Sequence, residues 1–193
     1  RMHMSDVTIC YGMTETSPVS TQTLPDDSLM HRTETVGRAH PHVEIRIADP
    51  ETGATIERGE TGEFCTRGYS VMSGYWNDPN KTAEAIDDEG WMHTGDLAVM
   101  AEDGYVNIVG RIKDMIIRGG ENVYPREIEE FLYTHPDIED VQEIGVPDER
   151  YGEELMAWIK PVATASLPVS QADLHAWVKA YCDGKIAHFK IPR

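Results

Sequence analysis

Three segments carry residue types suited to handling a nucleotide. Tyr11-Gly12-Met13-Thr14-Glu15-Thr16 follows the strand-like residues 6–10. A strand ending in a turn of small residues can present backbone amides and a hydroxyl to a phosphate, an adjacent carboxylate can hold the accompanying Mg2+, and an aromatic ring can stack on a base. The same residues also make an ordinary strand and polar turn. In Trp91-Met92-His93-Thr94-Gly95-Asp96 a turn glycine sets an aspartate that could accept hydrogen bonds from a ribose diol, although Thr-Gly-Asp is also a common turn. The third segment is the long run from Gly110-Arg111-Ile112-Lys113-Asp114 through Arg118-Gly119-Gly120-Glu121-Asn122 to Tyr124-Pro125-Arg126-Glu127-Ile128-Glu129. Glycines at 119 and 120 would let a ligand approach the backbone closely, or simply close a hairpin.

The elements that position these segments fall into two styles. Residues 43–48 alternate apolar Val43, Ile45 and Ile47 with polar Glu44 and Arg46, which predicts a strand, and Asp49-Pro50-Glu51-Thr52-Gly53 predicts a turn after it. Further short strands are expected at 62–66 and 104–109, with one helical turn near 81–86. The stretch 33–110 thus reads as a small antiparallel β unit. Beyond Arg111, strand and helix alternate: a strand at 115–118, a helix opened by Pro125 with Ile128, Phe131 and Leu132 on one face, strands at 141–146 and 155–162, and a second helix from Ser170. Ser170 with Asp173 forms a capping-box-like start, and Gly184 suits the carboxyl-terminal cap. The fold class is therefore α+β, with a boundary near 110–113 and a compact α+β domain after it. Trp158 and Trp177 fall at packing positions.

Composition excludes other classes. Asp and Glu number 34 against 17 Lys and Arg, giving a net charge of −17, which argues against the broad basic face that nucleic acid demands. No apolar run approaches the roughly 20 residues of a membrane span. Cys10, Cys65 and Cys182 are odd in number and show no zinc spacing, so a reduced, cytoplasmic compartment is expected. His40 and His42 flank Pro41 without a third ligand at recognisable spacing, and His93 reads as a polar contact near Asp96. The locally basic Lys185, His188, Lys190 and Arg193 could meet phosphates or form a solvated tail. The opening Arg1-Met2-His3-Met4 runs straight into an apolar stretch and reads like a cut inside a longer chain.

The three segments, in this order and at these separations, resemble the adenylate-forming superfamily of acyl-CoA synthetases, peptide-synthetase adenylation domains and firefly-type luciferases. Gly62-Glu63-Phe64, Arg67 to Trp76, Pro79 and Thr82 match the same pattern, and Arg118 to Asn122 with Tyr124 to Glu129 is most similar to the medium- and long-chain fatty-acyl-CoA synthetases. The resemblance implies a small β-barrel-like subdomain that ends the large N-terminal domain (1–110), a hinge (111–113) and a mobile C-terminal α+β domain (114–193). It implies ATP, Mg2+ and CoA as cofactors and a small carboxylic acid as substrate, with no nucleic acid and no transmembrane segment; a homo-oligomer is left open. Position by position, Tyr11 would stack on or flank adenine within the nucleotide-binding stretch Tyr11, Gly12, Met13 and Thr14, with Thr14 bonding the α-phosphate and Glu15 holding Mg2+. Asp96 would accept both ribose hydroxyls, with Arg111 reaching the same ribose. Lys113 takes the hinge position, and Gly119 and Gly120 lie where pantetheine passes.

Two elements of the family pattern are missing between residues 1 and 193: the Ser/Thr/Gly-rich phosphate loop and the adenylation lysine, which the family places just beyond Ile191-Pro192-Arg193. The polypeptide is therefore expected to be inactive alone. The expected reaction of the whole protein is carboxylic acid, ATP and CoA to acyl-CoA, AMP and diphosphate. An adenylation domain loading a carrier protein, and a non-catalytic nucleotide-binding module, are the alternatives.

Overall fold

A computed structural model describes residues 4, 6–165 and 170–193. The opening Arg1-Met2-His3, read above as part of a cut end, lies outside the described residues. The chain divides into two compact units, Arg1–Ile112 and Lys113–Arg193.

The first unit begins with three two-residue strands, β1 (Cys10–Tyr11), β2 (Thr21–Gln22) and β3 (Arg38–Ala39), paired antiparallel in that order. The strand-like reading of residues 6–10 shrinks to its last residue. A six-residue helix, α1 (Leu29–Glu34), interrupts them; it has no buried residue and hence no apolar periodicity to announce it. Four longer strands follow: β4 (Val43–Ala48), β5 (Thr61–Gly68), β6 (Met92–Met100) and β7 (Val106–Arg111), with α2 (Pro79–Ala85) between β5 and β6. They pair antiparallel in sequence order. The barrel-like unit expected from sequence is thus an open four-stranded sheet, with β4 and β7 at its edges. Phe64, Ile47, Ala98 and Val106 are buried together, and Tyr11 packs against this cluster.

Thr94-Gly95-Asp96, read from sequence as a turn, lies inside β6. Cys65 pairs with His93 and Glu63 with Leu97, so Phe64 alone on β5 faces Thr94, Gly95 and Asp96 on β6. This bulge is why the segment lacks a strand's alternation: the extra residues break the period of two and re-aim a side chain.

The second unit holds β8 (Ile116–Arg118), β9 (Glu121–Val123), α3 (Pro125–Leu132), β10 (Ile138–Asp148), β11 (Gly152–Pro161) and α4 (Gln171–Cys182). Its antiparallel sheet runs β10-β11-β8-β9. Ile128 and Leu132 of α3 and Val178 and Cys182 of α4 are buried with Ile116, Val123, Val141 and Leu155 of the sheet. Pro125 opens α3 where no N–H is needed, and the Ser170 hydroxyl oxygen caps α4 by accepting from the Asp173 N–H at 3.2 Å. No helix among the described residues is long and apolar enough to cross a membrane.

Candidate functional site

The Tyr11–Glu15 segment turns sharply. A Cβ on Gly12 would lie 1.8 Å from the Pro18 carbonyl oxygen, so only glycine allows that approach. Thr14–Thr16 form one turn of 3-10 helix, pinned by the buried Thr16: its Oγ1 accepts from the Met13 N–H and donates to the Met13 carbonyl, both at 3.0 Å. Among the described residues the exposed Thr14 hydroxyl has no partner in the protein. Glu15 is tied at both ends: its carbonyl accepts from the Met72 N–H at 2.8 Å and its Oε1 accepts from the Tyr75 hydroxyl at 2.9 Å.

Asp96 meets this segment across 85 residues of sequence, its Oδ2 accepting from the Tyr11 hydroxyl at 2.7 Å. Its Oδ1 accepts from Arg111 Nε at 2.9 Å, because the two residues are register partners between β6 and β7. A carboxylate offers about four lone-pair sites, so two remain for further donors such as a ribose diol. Burial, with the Asp96 carboxylate beside it, pushes the Tyr11 phenol well above its usual range, so it stays a hydrogen-bond donor. The Tyr11 ring is packed edge-on to Phe64, with centroids 4.9 Å apart, which fixes its orientation. The structure thus joins Tyr11, Asp96 and Arg111 by hydrogen bonds in the first unit, with Gly12, Met13, Thr14 and Glu15 following Tyr11 in the turn.

Lys113 is the first residue of the second unit and is exposed, within the 3-10 turn Ile112–Asp114. Gly119 and Gly120 close the β8–β9 hairpin with φ of +61° and +88°, the paired left-handed conformation of a two-residue turn. Gly119 N–H donates to the Tyr151 carbonyl at 2.8 Å, while among the described residues no atom lies within 4 Å of the Cβ position of Gly120.

Sequence reasoning missed what braces this geometry. Glu63 is buried, and its Oε1 accepts from the Gly95 N–H at 2.9 Å while Oε2 lies 2.7 Å from His93 Nδ1. Thr94 Oγ1 donates to the Phe64 carbonyl at 2.7 Å. Glu63, Cys65 and His93 hold their donor atoms within 4.8 Å of one another, close enough to consider a metal. In this structure Glu63 bonds Gly95 and His93, and Cys65 Sγ lies 3.6 Å from His93 Nδ1, so the three residues form a hydrogen-bonded brace. The signal available beforehand was Gly62-Glu63-Phe64 itself, whose partner lies 32 residues away. In the second unit, Arg118, noted only as part of a motif, is a buried cation whose Nε lies 2.5 Å from Glu154 Oε1 and whose NH1 donates to the Phe189 carbonyl at 2.7 Å.

A sequence model described as AMP-binding enzyme matches residues 1–76, and a second, AMP-binding enzyme C-terminal domain, matches residues 127–193. The putative acyl-CoA synthetase YngI of Bacillus subtilis is 58% identical over 193 residues, covering 100% of this chain and 34% of that protein. The human protein named medium-chain acyl-CoA ligase ACSF2, mitochondrial, is 48% identical over 100% of this chain and 30% of its own length. The chain therefore spans about a third of the length of these curated relatives. Among solved structures, ATP-bound MatB from Rhodopseudomonas palustris superposes with a TM-score of 0.87 at 39% identity, covering 97% of this chain and 35% of that one. O-succinylbenzoate CoA synthetase (MenE) from Bacillus subtilis, in complex with its acyl-adenylate intermediate, gives a TM-score of 0.80 at 32% identity, covering 97% and 36%.

Proposed function

Since the chain belongs to the AMP-binding enzyme family, we propose that it is the carboxyl-terminal third of an AMP-forming acid–thiol ligase acting on ATP, CoA and a medium- or long-chain fatty acid. The observation that carries this reading is Asp96, a carboxylate fixed between the Tyr11 hydroxyl and Arg111 with lone pairs to spare. It stands at a bulge beside a turn whose Thr14 hydroxyl is unspent. The fatty-acid class is supported by the likeness to YngI and to the ligases named medium-chain.

Activation is an attack of the acid's carboxylate on the α-phosphorus of ATP, with diphosphate leaving, so the protein's task is to position groups and neutralise charge. Thr14 donates to the α-phosphate. Asp96 accepts from the ribose hydroxyls, with the exposed Arg111 alongside. Tyr11, whose hydroxyl is committed to Asp96, flanks the base. Glu15 is the residue that would hold Mg2+, since among the described residues Oε1 has one neutral donor, Tyr75, and Oε2 is left to bind; the ion would supply charge neutralisation. The CoA thiol then attacks the acyl carbonyl and AMP leaves. Because that step exposes the same carbonyl to a second partner, a pivot at Lys113 lets the second unit bring up the Gly119-Gly120 turn, along which pantetheine passes, once the adenylate has formed.

The test is a full-length protein assayed in two steps: acid-dependent exchange of diphosphate into ATP, then CoA-dependent release of AMP, over acids from short to long chain. Exchange and thioester formation with fatty acids of eight carbons or more, on the order of tenfold above acetate, are expected. Exchange with no CoA-dependent release would instead favour a carrier-protein acceptor, and no exchange with any acid would leave a nucleotide-binding module.

A further inference from the structure

We propose that Glu63 is a positioning residue that sets the ribose-binding carboxylate of Asp96 by bracing the β6 bulge. This deepens the reading of Asp96 given above and rests on it. Where three residues of β6 face one of β5, the ladder cannot satisfy the backbone locally. Gly95, at φ +73°, aims its N–H away from the ladder, and Glu63 Oε1 receives it at 2.9 Å. The other oxygen, Oε2, takes the Nδ1–H of His93 at 2.7 Å, on the far side of Thr94. One buried carboxylate therefore ties both flanks of Thr94, while the Thr94 hydroxyl occupies the Phe64 carbonyl that the bulge leaves open and lies 3.2 Å from the Asp96 N–H, which it accepts.

His93 is itself fixed from behind. Its Nε2 lies 3.6 Å from Asp87 Oδ2, and Asp87 is held by the Trp91 and Glu89 N–H groups at 2.8 and 3.0 Å and by Arg46 at 3.1 Å. Asp96 follows Gly95 directly, so the direction of its side chain is dictated by the peptide that Glu63 holds. Tyr11 and Arg111 then fix the carboxylate's rotation. Loss of Glu63 leaves a bulge with an unpaired N–H and an Asp96 that no longer points both oxygens consistently at a diol, without removing any group that touches the nucleotide.

The experiment measures binding of ATP and of 2′,3′-dideoxy-ATP to the full-length protein, without acid or CoA, for wild type, Glu63→Met and His93→Gln. Hydrogen bonds to a charged acceptor imply that wild type prefers ATP by roughly 10- to 100-fold. If Glu63 acts through Asp96, that preference falls to within about threefold in Glu63→Met, whose thioether cannot replace the carboxylate as acceptor for the Gly95 N–H, and shrinks in His93→Gln, while affinity for the dideoxy nucleotide stays near wild type. Full discrimination in both variants overturns the inference. A wild type that does not discriminate overturns instead the ribose role of Asp96. Equal weakening for both nucleotides with discrimination intact means that Glu63 supports the fold in general, and also overturns it. Should Glu63→Met not fold, His93→Gln decides by the same ratio.

Discussion

Glu143 is a carboxyl group in the wrong place for a charge. It lies on β10, only 2% exposed, and neither carboxylate oxygen has a hydrogen-bond partner among the described residues. Its surroundings are the Glu129 carboxylate of α3, which is already accepting from the Glu143 N–H at 2.8 Å, and the Cys182 thiol of α4. Burial, and then the like charge of Glu129, push Glu143 up from 4.5 to about 9. The folded state therefore prefers the neutral acid, and the group's contribution to stability is complete below the unfolded value near 4.5 and is lost as pH rises toward 9. Each pH unit in that window costs about 1.4 kcal/mol. Between pH 5.5 and 7.5 the second unit should thus lose about 3 kcal/mol relative to a Glu143→Gln variant, which cannot ionise and keeps every other titrating group. The readout is labelling of Cys182, fully buried in the same core, by a thiol reagent in the full-length protein, under conditions where opening is a pre-equilibrium. The ratio of wild-type to variant labelling should rise roughly 100-fold across those two pH units, the equivalent of that free energy. A ratio that stays constant would show that Glu143 is solvated or paired in the native state and that the reasoning is wrong.

Other expectations follow from single contacts. Asp96→Ala should weaken ATP binding to the full-length protein by about 2–4 kcal/mol, because a charge-assisted acceptor is lost and Tyr11 and Arg111 lose their partner; calorimetry returning an affinity within twofold of wild type refutes the assignment. Lys113→Pro, which fixes φ near −65° where the two units join, should impair thioester formation while sparing acyl-adenylate formation, measured as separate half-reactions; equal loss of both, or of neither, puts the pivot elsewhere. Arg118→Met should lower the urea stability of the second unit by about 3 kcal/mol, since Glu154 keeps Arg193 at 3.1 Å but loses its buried partner. Arg118→Met combined with Glu154→Met should recover most of that loss, and a double variant no better than the single one would contradict the account.

The sequence by itself determined what depends on neighbours along the chain. The alternation Val43, Ile45, Ile47 gave β4 its limits, Val43–Ala48, and Pro125 and Ser170 opened α3 and α4, while the paired glycines at 119 and 120 marked a turn without naming the strand β9 that follows it. The candidate site residues from Tyr11 to Glu15, Asp96 and Arg111 could be named as well, because side-chain chemistry and order along the chain need no coordinates. Only the tertiary structure decided that the Tyr11 hydroxyl is committed to Asp96, that Glu63 holds Gly95, and that Glu143 faces a core rather than water. It also turned the supposed Thr-Gly-Asp turn into a bulge within β6. The physical reason is common to all four. Periodicity and capping are set by sterics over a few residues, whereas strand register is set by cross-strand pairing over tens of residues, and a shift of one position sends every side chain to the opposite face. Which carboxylate meets which donor, and which one is left buried without a partner, is fixed only when that register is.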